Sequence, residues 1–217
     1  MDKLKIYVIR HGETDWNVDR RLQGMSDIPL NDYGIELAKI TSEGLKDIPF
    51  DVIYTSPLLR AKETARIVCG DRQIPVIEDE RIREMCFGVF EGLSCSKDHY
   101  EIPDPDFVNF FKDPAAYNPP EGGESFEQLC ERTTNFLNDI AKNHDPAHKT
   151  ILVSTHGAAL KGLLSSFTIT DIGEFWQGGV HKNCGVSLVN YEAGVFSLEW
   201  ENKIFYEDTK ARAFFEE

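Results

Sequence analysis

Two short apolar runs set the frame for this chain. KLKIYVI at residues 3–9 and TILVST at 150–155 are rich in β-branched and aromatic residues, and both read as strands. Each runs straight into a histidine and a glycine: Arg10-His11-Gly12 after the first, Thr155-His156-Gly157 after the second. A strand that looks buried has no packing reason to end on a cation and an imidazole. Something anionic at that end would supply one.

The segment between the two runs decides how they are arranged. Asn31 is placed to cap a helix to about Lys46, with Ile35, Leu37, Ala38, Ile40 and Leu45 as its apolar set. Asp51–Thr55 reads as a strand. In SPLLRAKETARIV, Ser56 is placed as an N-cap and Pro57 as the first helical residue. Pro75–Ile77 reads as a third strand. Residues 82–96 look like loop, and 97–123, rich in Asp, Pro and aromatics, like an insertion with one or two short helices. Ser125 and Gln128 form a capping-box pattern for a helix to about Lys142. A helix follows from about Ala158 to Ser166. Residues 184–191 and 195–201 alternate around Glu192-Ala193-Gly194 and read as a hairpin.

Strands alternating with helices specify a three-layer α/β/α fold around a mostly parallel sheet. The 217 residues suit a single domain, 1–217, with a lid-like insertion over about 94–124. Ligands of such sheets bind beyond the carboxyl ends of the strands, at a topological switch point. His11 and His156 are then expected on the same rim.

The formal net charge is -14, which argues against general binding to nucleic acid or to anionic membranes. An anionic ligand therefore needs a local cluster of cations. Five cysteines (Cys69, Cys86, Cys95, Cys130 and Cys184) are odd in number and form no CxxC pair, so free thiols in a reducing compartment are expected. The first apolar run is too short for a signal peptide, and no stretch reaches transmembrane length. These features point to the cytoplasm.

Four motifs, in order, resemble the histidine phosphatase superfamily, the phosphoglycerate mutase-like fold: RHGETDWN with LQG (10–17 and 22–24), YTSPLLRAKETA (54–65), REMCFGVFEG (83–92) and VSTHGAALKGL (153–163). The resemblance covers roughly residues 4–165 and favours the branch of the broad-specificity and α-ribazole phosphatases. It implies that His11 is the nucleophile, that Arg10, Arg60 and His156 hold the phosphoryl oxygens, and that Glu84 gives and then takes the proton. Asn17 and Gln23 would lie near the phosphate or the substrate, with Thr14, Gly24 and Gly157 beside them. No metal and no organic cofactor is implied.

The chemistry fits those residue types. A neutral imidazole nitrogen is nucleophilic once the other ring nitrogen is held as a donor. Phosphoryl transfer spreads charge over three oxygens, and guanidinium forks suit them. Arg60 falls in the first turn of its helix, at the positive end of the dipole. Glu91 reads as structural and Trp16 as packing. Of the other histidines, His99, His144, His148 and His181, the last is the one that GGVHKNCGV could bring to the rim.

The same resemblance leaves a choice. Phosphoglycerate mutases of the family carry a longer insertion with extra basic residues. The insertion here has only Lys97 and Lys112, against six acidic residues between Lys97 and Gly122, and it carries Phe107, Phe110, Phe111 and Tyr117. A phosphomonoesterase acting on a small phosphorylated metabolite is expected, with cofactor-dependent phosphoglycerate mutase as the alternative. A two-histidine, one-carboxylate metal site and a non-catalytic phosphate binder are more remote readings. The C-terminal hairpin offers an edge strand through which a homodimer would form.

Overall fold

β1 (Leu4–Arg10) and β6 (Thr150–Thr155) lie side by side and parallel, with Arg10 opposite Thr155. In this computed structural model, which describes residues 3–143, 145 and 147–207, every residue of β6 and every residue of β1 except Lys5 is buried. The remaining elements follow from them. α1 (Asp15–Val18), α2 (Asp32–Gly44), β2 (Val52–Thr55), α3 (Leu59–Cys69) and β3 (Val76–Glu78) come first. A two-stranded ribbon follows, β4 (Cys95–Ser96) and β5 (His99–Tyr100), then α4 (Asn109–Lys112) and α5 (Phe126–Asn143). After β6 come α6 (Gly157–Thr168), β7 (Val186–Glu192) and β8 (Val195–Lys203).

The main sheet runs β3-β2-β6-β1-β7-β8. The pairs among β1, β2, β3 and β6 are parallel, while β7 joins β1 antiparallel and β8 closes the hairpin. The expected α/β class and the C-terminal hairpin are both present. Ala193 and Gly194 make the hairpin turn with φ of 52° and 86°, the conformation that a two-residue turn needs to match the strand twist.

Period-two alternation divides the core into two layers. Ile6, Val8, Ile151 and Val153 pack with Phe136, Leu137 and Ile140 of α5 and Leu160, Leu163 and Leu164 of α6. Tyr7, Ile9, Ile53 and Leu152 pack on the other face with Leu37 and Ala38 of α2 and Ala65 and Val68 of α3. Each such side chain contributes about 1.5–3 kcal/mol by leaving water. A third cluster, built on Phe87, Phe107, Phe110, Tyr117, Phe126 and Phe175, lies under the insertion. Phe107, Phe110 and Tyr117 are thus core residues.

Among the described residues no helix is long and apolar enough to cross a membrane. His144 and the acidic segment 214–217 lie outside the described residues.

Candidate active site

The parallel register fixes the centre of the site. Because Arg10 faces Thr155, the next residues, His11 and His156, stand together with ring centroids 5.2 Å apart. His11 N–H donates to Thr155 O at 2.9 Å, extending the ladder one step past the strand. The His11 ring is 2% exposed, and its Nδ1 lies 2.6 Å from Gly12 O. A carbonyl oxygen only accepts, so Nδ1 carries the proton and Nε2 keeps its lone pair. Gly12 is required for this turn: a Cβ there would fall 2.6 Å from Gly34 O. Burial, with Arg60 and Arg10 adding repulsion, holds the His11 pKa well below the usual imidazole range. His156 is lowered likewise, by burial and then by Arg60.

Arg60 is fully buried in the first turn of α3. Its Nη1 donates to Ser26 O at 2.7 Å and its Nη2 to Gly24 O at 2.8 Å. Burial lowers its pKa to about 10, which leaves it charged at neutral pH. The loop that carries those carbonyls is itself held by Glu91, which accepts from Met25 N at 2.8 Å and Ser26 Oγ at 2.9 Å. The structural reading of Glu91 therefore stands, with a chain from Glu91 through residues 24–26 to Arg60. Arg10 is nearly buried and gives one Nη1 bond to the carbonyl of His181. The Nε atoms of Arg10 and Arg60 are buried and make no hydrogen bond among the described residues.

Glu84 lies across the cleft at the start of α6. Its Oε1 accepts from Met85 N at 2.9 Å and Ala159 N at 3.0 Å, and its Oε2 from Ala158 N at 3.3 Å. Two amides that a helix N-terminus leaves unpaired are thereby used to aim the carboxyl group. A cleft of about 70 Å³ opens between these parts. Arg10, His11, Asn17, Gln23, Gly24, Arg60, Glu84 and Gly157 line it, all anticipated from sequence. His156 stands behind His11. Thr14 is the exception: it is buried, and its hydroxyl and amide are spent capping α1 with Asn17.

The model of the histidine phosphatase superfamily (branch 1) matches residues 6–204. The chain belongs to that family. The chain is 34% identical over 163 residues to uncharacterized phosphatase PhoE of Bacillus subtilis, covering 75% of this chain and 77% of that one. It is 29% identical over 189 residues to phosphoserine phosphatase 1 of Hydrogenobacter thermophilus, 87% of each. It is 32% identical over 194 residues to probable phosphoglycerate mutase GpmB of Proteus mirabilis, covering 87% and 86%. The solved structure of Bacillus stearothermophilus YhfR superposes with a TM-score of 0.86 at 35% identity, covering 93% of this chain and 98% of that one.

Several residues of this site were not anticipated. Ser56 does not start α3, which begins at Leu59 with Leu58 as its cap residue. The Ser56 hydroxyl instead lies 2.7 Å from His156 Nε2, and Asp27 Oδ1 receives Leu59 N at 2.6 Å. The same hydroxyl also accepts Leu58 N at 3.3 Å, just ahead of the helix, and only tertiary placement reveals its bond to the buried imidazole. Arg21 and Trp176 line the cleft as well. Arg21 stands two residues before Gln23 in the first motif region, which was the available signal. His181 reaches the rim through its backbone; its side chain is buried against Ser187 at 2.8 Å, and burial drops its pKa to about 3. His99 is exposed beside Glu101, and the five cysteines are free. Among the described residues no group of His, Cys, Asp and Glu side chains is arranged to hold a metal ion.

Proposed function

We propose that this chain is a metal-independent phosphomonoesterase that hydrolyses a small organic phosphate through a phosphohistidine on His11. The observation that carries the reading is the Nδ1–Gly12 O bond, which makes Nε2 the nucleophilic atom of a ring that lines the cleft. Nε2 attacks phosphorus, and the bond from phosphorus to the ester oxygen breaks. Glu84 delivers its proton to the departing oxygen. Arg10 and Arg60 balance the charge on the three equatorial oxygens, with neutral His156 as a hydrogen-bonding group beside them. Water then attacks the phosphohistidine, Glu84 takes up a proton, the P–N bond breaks and phosphate leaves.

Hydrolysis is favoured over mutase chemistry by the apolar lining of the cleft. Leu22, Phe87, Phe110, Phe111, Trp176 and Val180 line it. Arg21 is the added cation there, and it is paired to Glu101 at 3.0 Å and to Gly92 O at 2.7 Å. A leaving group with a carboxylate and a second phosphate finds little to hold it, whereas an uncharged or apolar one fits. The GpmB relative keeps the mutase as the second reading.

The test is p-nitrophenyl phosphate hydrolysis in EDTA, comparing wild type with His11→Ala. Turnover that falls about a thousandfold or more in the variant supports the mechanism. Turnover surviving in His11→Ala overturns it. Faster 2,3-bisphosphoglycerate-dependent exchange than hydrolysis would select the mutase.

A further inference from the structure

The turn that precedes β7 is bound to the end of β1 more tightly than a connection needs. Arg10 N donates to Gly185 O at 3.1 Å, and Cys184 N donates to Arg10 O at 3.0 Å. Cys184 adopts φ of 55°, a left-handed conformation unusual for a residue with a side chain, and such strain persists where surrounding structure imposes it. Its neighbour Asn183 is directed at the site. Asn183 Nδ2 donates to His11 O at 3.1 Å and reaches Asn17 Oδ1 at 3.3 Å, while Tyr206 OH holds the Asn183 carbonyl at 2.7 Å.

The orientation of both amides follows from their partners. His11 O only accepts, so the Asn183 atom facing it is the NH2 group. Thr14 N only donates, and it approaches one atom of the Asn17 amide at 3.1 Å, so that atom is the oxygen. Asn17 Oδ1 thus receives Thr14 N, Thr14 Oγ1 and Asn183 Nδ2 together. With its oxygen saturated from behind, Asn17 has its NH2 group left for the cleft it lines.

We infer that Asn183 is a positioning residue: it sets the Asn17 amide so that N–H donors, rather than a lone pair, meet the phosphoryl oxygens, and it steadies the His11 backbone. The inference rests on the phosphatase reading above. It makes an asymmetric prediction. Asn183→Ala removes one of three donors to Asn17 Oδ1, and the two from Thr14 remain. Asn183→Asp instead places a carboxylate against two acceptor oxygens, His11 O and Asn17 Oδ1. Rotation of Asn17 would relieve that repulsion, but it would turn its oxygen toward the phosphoryl group and deprive Thr14 N of its acceptor.

The experiment measures kcat/KM for p-nitrophenyl phosphate and the inhibition constant of orthovanadate for wild type, Asn183→Ala, Asn183→Asp, Asn17→Ala and the Asn17→Ala, Asn183→Asp double variant. Asn183→Asp is expected to lower kcat/KM and weaken vanadate by roughly a hundredfold, and Asn183→Ala by only about three- to tenfold. In the Asn17→Ala background the Asp substitution is expected to cost about tenfold or less, since only its repulsion of His11 O remains. A thermal midpoint for each variant separates unfolding from misorientation. Wild-type activity in Asn183→Asp, or a loss of equal size with and without Asn17, overturns the inference. Turnover of the wild type that survives His11→Ala would instead defeat the phosphatase reading.

Discussion

The rings of His11 and His156 stand 5.2 Å apart and are tilted by 57°, both buried at the ends of adjacent parallel strands. Two imidazoles packed this closely, beside two arginines, are stable as a neutral pair. Burial and then the Arg60 charge lower both pKa values well below 6.5. His11 therefore stays deprotonated at Nε2 in mildly acidic solution. We expect kcat/KM, which reports groups of the free enzyme, to show no acid limb from an imidazole at the ordinary pKa of about 6.5. A profile of kcat/KM from pH 8 to 5, corrected for the titration of the phosphate ester itself at about pH 6, checks this, and a remaining limb near 6.5 would contradict it.

His181 makes a prediction about stability. Its folded pKa is about 3, lowered by burial and then by Lys161 and Arg10. The unfolded chain takes up a proton near pH 6.5 that the folded chain refuses until about pH 3. Stability from this group is complete above the unfolded pKa and is lost as pH falls below it. The loss amounts to about 2 kcal/mol between pH 8 and pH 5. Urea unfolding of wild type and His181→Asn at both pH values isolates the term: the difference between the two pH values is expected to be smaller by about 2 kcal/mol in the variant. An unchanged difference would mean that the buried ring does not refuse its proton.

Arg60 is held as a fork, with one arm on Ser26 O and the other on Gly24 O. A lysine keeps the charge but cannot reach both carbonyls from one nitrogen and still face the cleft. Arg60→Lys is therefore expected to lower kcat/KM by about a hundredfold or more. Steady-state kinetics on p-nitrophenyl phosphate decide it; a loss within tenfold would show that charge alone suffices.

The sequence carried the sheet and most of the cleft, because both depend on short-range signals. The strand runs, the Asn31 cap and the Ser125–Gln128 box are local, and each is present in the structure. Arg10, His11 and His156 follow from strand ends plus register. What was illegible depends on long-range neighbours. Ser56 looked like a helix cap because its partner, His156, is a hundred residues away. Asn183 carried no signal of its own, because its partners His11 and Asn17 are at the other end of the chain. Phe107 and Phe110 looked like lid residues in a polar stretch, yet they stack on each other at 5.5 Å in the third core cluster.

The boundary between that aromatic core and the cleft gives the last prediction. Phe110 is 2% exposed, whereas Phe111 and Trp176 are half-buried, and all three line the cleft. Trp176 Nε1 donates to Phe110 O at 2.5 Å, which fixes the indole as a wall next to the insertion. A wall of this kind contacts the alcohol part of an ester equally before and during phosphoryl transfer, so it contributes to binding without changing the chemical step. Trp176→Ala is expected to raise KM for p-nitrophenyl phosphate by roughly tenfold and to leave kcat within about threefold. For a small polar ester such as glycerol phosphate, KM is expected to stay nearly constant, because that leaving group does not reach the indole. Equal KM increases for both esters would show that Trp176 shapes the whole site, and a fall in kcat for both would place it in the positioning of Arg10 through the 176–181 loop.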